Sequence, residues 1–330
     1  DGDEAAAEEA AVAAPRQQRP RAGIFEQYRL LFGRAFRQVT RAKLPMLIKV
    51  VQQVSTALIY GGIYQLDDSQ RSIQDRFGLL SLVSIGATNL AVAGTVRSFP
   101  KEKAIFREEQ SKGIYGVLPY FLSKVLADAP VSALLSAIFG GILYPMVGLQ
   151  RSVSKFLRFL GLSTLHSFSS SAIGLPLGAR ARSQEAALAL MPPVIILMII
   201  FNGFNISPES TPKIVRWIPQ VSAVRWGFEG LSINEMSGLK FQCMPRRPCT
   251  ETGEAALERL NVRLGENGNG GGDRAAAAEG PLRFIPRPQA SFARAVMAEG
   301  VILAVCYAQT LRALGSQTRS YAAMEAPSAL

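Results

Sequence analysis

The chain has 330 residues, 48% apolar and 18% charged, with a mean hydropathy of +0.16, whereas a soluble domain carries about 25% charged residues. Residues 77–96, 129–150, 159–179 and 186–208 contain no Asp, Glu, Lys or Arg, and about 20 such residues in a helix cross a hydrocarbon core of roughly 30 Å. These runs exclude a soluble globular enzyme, a coiled coil and a disordered chain. The formal charge of +11 is spread along the sequence rather than gathered with aromatics into one patch, so it reads as membrane topology and not as nucleic-acid binding.

Residues 1–23 open acidic and Ala-rich and turn basic in PRQQRPR. Charge blocks without apolar periodicity form solvated linker, and this one is expected to lead from a missing upstream domain. From 24 to 40 the apolar positions 24, 25, 28, 31, 32, 35, 36 and 39 share one helical face, with Arg34, Arg37 and Arg41 opposite. The segment 24–44 is therefore expected to be an amphipathic helix on a membrane surface. Spans follow at 45–64, 77–97, 118–149, 156–179, 186–206 and 292–311, the last carrying Arg294 and Glu299. Between the fifth and sixth lies a large loop, 207–289, with a Gly-rich flexible insert at 266–280, and residues 315–330 form a C-terminal tail.

The short flanks at the N-terminal arm, 97–112, Arg180/Arg182 and the tail hold more Lys and Arg than the alternate set. Both termini are therefore expected inside, in cytosol or stroma, with 207–289 outside or in a lumen. Pro192 and Pro193 remove two backbone donors and are expected to kink the fifth span. His166 lies among serines 163, 167, 169, 170 and 171 and reads as a packed, hydrogen-bonded histidine. One His and three Cys are too few for ordinary metal sites, so no metal is expected. The sequence also contains no G-x-x-x-x-G-K-[ST] loop, whose backbone amides and Lys hold nucleotide phosphates; no catalytic residue and no resident cofactor are assigned to this chain.

The stretch FPKEKAIFREEQSKGIYGVLPYFLSKVLADAPVSALLSAIFGGILYPMVGL, 99–149, resembles the permease domain of subfamily G (white-brown type) ATP-binding cassette half-transporters. The matching residues include Glu102, Ile105, Phe106, Glu109, Gly113, Tyr115, Tyr120, Lys124, Asp128, Pro130, Tyr144, Met146 and Gly148. Further on, TPKIVRWIPQVSAVRWGFEGLSINEMSGLKF is similar to the family's re-entrant segment, and INEMSGLKF with TGEAALERL is similar to plant-type members. The likeness covers 24–314. It departs at Glu108 and Arg107, where the family's Arg before Glu109 is displaced by one position, and at Lys103, which replaces an Arg.

The resemblance implies an all-α membrane protein, the six-helix type 2 ABC exporter permease fold, preceded by an amphipathic helix. It implies a dimer, homo- or heteromeric, powered by ATP and Mg on nucleotide-binding domains absent from this chain, and exporting lipids or other amphipathic small molecules through a plasma membrane or an organelle membrane such as a plastid envelope. It assigns coupling to Glu102, Lys103, Phe106, Arg107, Glu108 and Glu109, as a short helix forming ion pairs with the nucleotide-binding domain. It assigns the substrate path to Leu82, Ile85, Gly86 and Asn89 with Pro192, Pro193, Ile196 and Ile199, and the outer gate to Phe204 and Asn205. A disulfide between Cys243 and Cys249 belongs to the same expectation. Read without the resemblance, the residues also admit an ion- or proton-coupled secondary transporter, for which Asp128, Glu299 and the polar start of the first span come nearest to the required mid-membrane charges, or a non-transporting membrane scaffold.

Overall fold

The computed structural model describes residues 23–111, 114–181, 183–206, 213–215, 217–243, 249–260 and 287–318. Most of the linker 1–23, the insert 266–280 and most of the tail 315–330 lie outside the described residues.

Helix α1, Ile24–Arg41, is the amphipathic helix, with Ile24, Phe25, Leu30 and Phe36 left exposed. The backbone leaves the helix at Ala42 and re-enters α2, Lys43–Ile63, where Pro45 falls in the first turn; there its missing N–H breaks no helical bond. The link to α3 is an Asx turn, in which the Ser69 amide and hydroxyl donate to Asp67 Oδ1 at 3.0 and 2.6 Å.

Helix α3 spans Gln70–Ser111 and corrects one expectation. The second span and the coupling segment form a single helix of 42 residues, about 63 Å at 1.5 Å per residue, twice the thickness of the hydrocarbon core. Pro100 sits inside it and deletes one donor without ending the helix, because the flanking residues are strong helix formers. The charged residues 101–111 are therefore a stiff extension of a membrane span and not a separate short helix.

Helix α4, Val117–Val147, ends at Gly148, whose φ of 80° is the left-handed helix stop that glycine adopts without strain. A Cβ there would also stand 3.3 Å from the Leu66 carbonyl. Helix α5, Val153–Arg180, buries a serine-rich face. Helix α6, Gln184–Ile200, is capped by Ser183, whose side chain accepts from the Ala186 amide, and it contains Pro192 and Pro193. It stops six residues before the expected end at 206, because the Asn202 side chain takes over as acceptor for the amides of Phe204 and Asn205, both at 2.9 Å.

A 3-10 turn, Lys213–Val215, and the four-residue α7, Ile218–Val221, lead into α8, Ala223–Met236. All residues of α8 except Arg225 are buried, so this part of 207–289 is a core element rather than an open loop. Helix α9, Gly253–Arg259, lies over it, and the disulfide Cys243–Cys249, Cα atoms 5.7 Å apart, closes the intervening stretch. Helix α10, Arg287–Thr318, completes the bundle.

Helices α2 to α6 and α10 overlap the six expected spans. Four of them hold stretches long and apolar enough to cross a membrane: Lys43–Ile63, Gln70–Pro100, Val117–Val147 and Ser291–Ser316. Helix α6 is apolar but has 17 residues, and α5 has the length but is diluted by its serines, His166 and basic first turns. The main core joins α3, α4, α5, α8 and α9 around Phe77, Leu143, Phe159, Phe228 and Leu257.

Candidate coupling and substrate-path surfaces

The charged end of α3 is tied into its own bundle. Lys124 of α4 pairs with Glu102 at 2.9 Å. Arg34 of α1 pairs with Glu109 at 2.8 Å, and the Tyr115 hydroxyl donates to the same carboxylate. The Lys103 ammonium donates to the carbonyls of Ala179 and Ala181 at the end of α5. Phe106 is buried against Tyr115 and Tyr120, with ring centroids 6.3 and 4.7 Å away. Arg107 and Glu108 lie on the exposed side.

Burial holds the Glu102 carboxyl above its usual range, with Lys124 acting in the opposite direction, and burial pulls Lys103 down. The hydrogen bond to Glu109 raises Arg34, while burial followed by that same carboxylate raises the Tyr115 hydroxyl. A paired, half-buried cluster of this sort ties α1, α3, α4 and α5 together more firmly than a solvated loop would, because each link has one preferred geometry. Within the permease itself, Glu102 and Glu109 thus pair with Lys124 and Arg34.

The proposed path residues lie on two helices packed side by side. Val92 and Val96 of α3 meet Ala187 and Ile195 of α6, with Ile199 partly buried against them. Pro192, Pro193 and Ile196 face outward on α6, Ile196 at 53% exposure. On α3, Leu82 is exposed and Ile85 and Asn89 are half-buried; their spacing of three and four residues puts them on one stripe. Gly86 parts from this group. A Cβ there would stand 3.1 Å from the Tyr60 hydroxyl, and Gly86 lines a small cavity between α2, α3, α4 and α5 that also reaches Gln53, Ser163 and His166.

At the end of α6, the Phe204 ring turns inward onto Phe228 of α8, centroids 5.8 Å apart. Asn205 is exposed and its side-chain amide donates to the Ile199 carbonyl at 3.0 Å. Asn202 is fully buried and donates to Ser81 of α3 at 3.0 Å.

His166 is packed and hydrogen-bonded as expected, and two buried polar networks, one built on it, have partners that the sequence does not assign. In the first, His166 Nδ1 lies 2.8 Å from Glu299 of α10, while Nε2 lies 3.0 Å from the Ser84 carbonyl and 3.1 Å from Thr88 Oγ1. Ser169 donates to the other Glu299 oxygen, and Thr88 is 3.1 Å from Ser170. The cluster joins α3, α5 and α10 in the interior. In the second, Arg76 of α3 pairs with Glu235 of α8, each side chain 3% exposed. The Glu235 carboxylate also accepts from the Gln150 amide, and its backbone carbonyl accepts from the Gln150 side chain. The signal for the first was the four-residue step between Ser84 and Thr88, repeated at His166 and Ser170, which gives two polar stripes that must face each other or face lipid.

Residues 26–236 match the family described as ABC-2 type transporter. The chain belongs to that family. Its relatives place it in subfamily G: ABC transporter G family member 7 of Arabidopsis thaliana is 43% identical over 240 residues, which is 72% of this chain and 33% of the relative. ABC transporter G family member 1 of Dictyostelium discoideum is 30% identical, covering 66% of this chain and 28% of the relative. Protein white of Drosophila melanogaster is also 30% identical, over 72% of this chain and 35% of the relative. This subfamily G permease thus spans about a third of the length of the relatives it matches. It is an integral membrane permease of the ABC type.

Proposed function

We propose that this permease forms the membrane path of an ATP-driven exporter of lipids or other amphipathic small molecules, working as a homo- or heterodimer. The observation that carries the reading is the continuity of α3, Gln70–Ser111. One helix holds the path residues Leu82, Ile85 and Asn89 and, farther along, the coupling residues from Glu102 to Glu109. A push on the charged end is delivered to the path without a hinge.

Nucleotide-binding domains would supply ATP and Mg and the chemistry of phosphoryl transfer; the sequence of this chain has no G-x-x-x-x-G-K-[ST] loop. In this reading six helices cross the membrane, both termini face those domains, and 207–289 lies on the far side. The exposed α6 face at Ile196 and the α3 stripe at Leu82 would then meet their counterparts across the dimer axis. That gives a mostly apolar slot with few polar groups, the ordinary make-up of a site for flat amphipathic molecules. Asn205 with Phe204 would close its outer end.

The test is Ile196→Asp beside Ile196→Ala in the full-length transporter. Aspartate places carboxylates in the slot, where ionised groups are costly, so substrate-stimulated ATPase activity should vanish while basal activity survives. Alanine should reorder which substrates stimulate, since lost methylenes are worth about 1 to 3 kcal/mol of discrimination. An unchanged substrate profile in both variants would overturn the assignment. The buried His166–Glu299 pair beside a cavity supports a second reading, an ion- or proton-coupled carrier. Transport driven by a pH gradient without ATP would favour it.

A further inference from the structure

The cavity between α2, α3, α4 and α5 carries polar groups that neither the path nor the coupling surface uses. From α2 come Gln53, Thr56 and Tyr60, and from α5 Ser163 and Ser167, each set at helical steps of three or four residues; α4 adds Ser136. Gln53 is the eleventh residue of the 21-residue α2, so the cavity lies midway along an apolar span, where a polar side chain needs a partner inside the protein.

Ser163 is the decisive residue. It is 8% exposed and borders the cavity, and its hydroxyl has no hydrogen-bond partner among the described residues. The side chains of Ser136 and Gln53 make no hydrogen bond among those residues either. The Thr56 hydroxyl donates to the Gln52 carbonyl at 2.8 Å and keeps its capacity to accept. Donors and acceptors left dry at this depth are costly.

His166 cannot serve them. A carbonyl only accepts, so Nε2, 3.0 Å from the Ser84 carbonyl, carries a proton, and Nδ1 is taken up by Glu299 at 2.8 Å. A second proton must lie between Nδ1 and the carboxylate, because two acceptors would repel there. The net charge of the pair is zero whichever partner holds that proton, so the pair offers an ion in the cavity nothing to balance. Among the described residues, no Asp, Glu, Lys or Arg lines the walls.

We propose that this cavity is a binding site for ordered water, one molecule or two, joining the polar stripe of α2 to Ser163 of α5 in the middle of the membrane. The space fits: about 20 Å³ is open to the centre of a water-sized sphere, and one water needs roughly 10 to 15 Å³ on that measure, with two to four polar partners. Water both donates and accepts, which suits hydroxyls and a side-chain amide together. The O–H of an amphiphile reaching in from the bilayer offers the same chemistry, and the test separates the two. The site gives Gln53 a role at the polar start of the first span, and it stands whichever reading of transport holds.

The test is hydroxyl-radical footprinting by X-ray pulse on the full-length protein in lipid nanodiscs, with oxidised residues read by mass spectrometry. Leu231 of α8 is 1% exposed and borders the cavity, whereas Leu314 at 1% and Leu149 at 2% do not. Leu231 should be oxidised on the order of tenfold faster than either, because radicals form from the water beside it. After mixing into oxygen-18 water, label should reach Leu231 later than the exposed Trp217, as held water exchanges more slowly than bulk. Ser163→Val puts methyls where the hydroxyl was and should bring Leu231 down to the control rate. The wild-type comparison needs no substitution and stands if that variant fails to fold. Oxidation of Leu231 equal to the controls, no lag in label, or full oxidation in Ser163→Val overturns the proposal. So does loss of the signal on adding 1-decanol, which makes the occupant an amphiphile's hydroxyl, or a signal that changes when sodium replaces N-methylglucamine, which makes it a cation.

Discussion

Gly227 of α8 tests whether the first polar network pins the His166 ring that packs against it. A Cβ at this position would lie 2.5 Å from His166 Nδ1, 2.7 Å from Cε1 and 3.0 Å from Cγ. Ordinary contact begins near 3.5 Å, so Gly227→Ala forces the imidazole to retreat by about 1 Å. The ring has no slack in the other directions, since Glu299 holds Nδ1 at 2.8 Å while the Ser84 carbonyl and Thr88 hold Nε2 at 3.0 and 3.1 Å. A retreat of that size carries the link to Glu299 beyond hydrogen-bonding range. The cost combines overpacking, about 1 to 3 kcal/mol, with loss of a hydrogen bond to a charged group, about 1.5 to 3 kcal/mol. A total near 4 kcal/mol is large for one methyl group. Denaturant titration of the purified full-length protein, followed by the fraction that remains monodisperse, measures it. Gly62→Ala and Gly141→Ala serve as controls, because a Cβ at either position meets nothing within 4 Å. If Gly227→Ala behaves like these controls, the His166 ring is not pinned by the network.

Arg76→Ala should destabilise by about 3 to 5 kcal/mol, because it strands the buried Glu235 carboxylate; Arg76→Met together with Glu235→Leu should recover most of that loss, and denaturant midpoints of the two proteins decide the matter. The third prediction concerns pH. The Ser69 hydroxyl and then its amide hold the Asp67 carboxyl below its usual range, so the turn is stabilised above the ordinary carboxylate value and loses this support only as pH falls through the depressed one. Ser69→Ala lets Asp67 titrate nearer the ordinary value, so hydrogen exchange in residues 64–70 should accelerate at a higher pH in the variant than in the wild type. Coincident exchange profiles would refute the turn's role.

Sequence patterning placed the helices well because a membrane span is specified by length and by the absence of charge, both local properties. The starts of α2, α4 and α5 fall within three residues of expectation. The errors fall where a side chain acts over a distance. Pro100 and the charge-dense residues after it read as a break after the second span, yet the helix continues, because Phe106, Lys103 and Glu102 each find partners on α4 or α5. Absence of charge carries the expected fifth span to 206, whereas α6 ends at Ile200, where the Asn202 side chain turns the backbone. Buried charges were the least legible part. Arg76 with Glu235 and His166 with Glu299 are separated by 159 and 133 positions, and no local pattern links residues that far apart.

These long-range pairs constrain how the proposed path can open. Helix α3 is fastened to α5 and α10 through Thr88, His166 and Glu299, and to α8 through Arg76 and Glu235. Directional, buried hydrogen bonds of this kind have one favourable geometry, and separating them leaves charges without partners in a dry interior. Along its length helix α6 meets α3 differently, through aliphatic contact of Val92 and Val96 with Ala187 and Ile195, and the Asn202–Ser81 hydrogen bond lies just beyond its end, where it can act as a pivot. Aliphatic surfaces slide past one another with little change in buried area, which is the basis of shear between packed helices. In the proposed exporter, a displacement entering at the Glu102–Glu109 end would move α3, α5, α8 and α10 as one body, with α6 shifting against it. The α3–α6 contact borders the face carrying Ile196, so the part of the bundle best able to move is the part where the path is proposed to run.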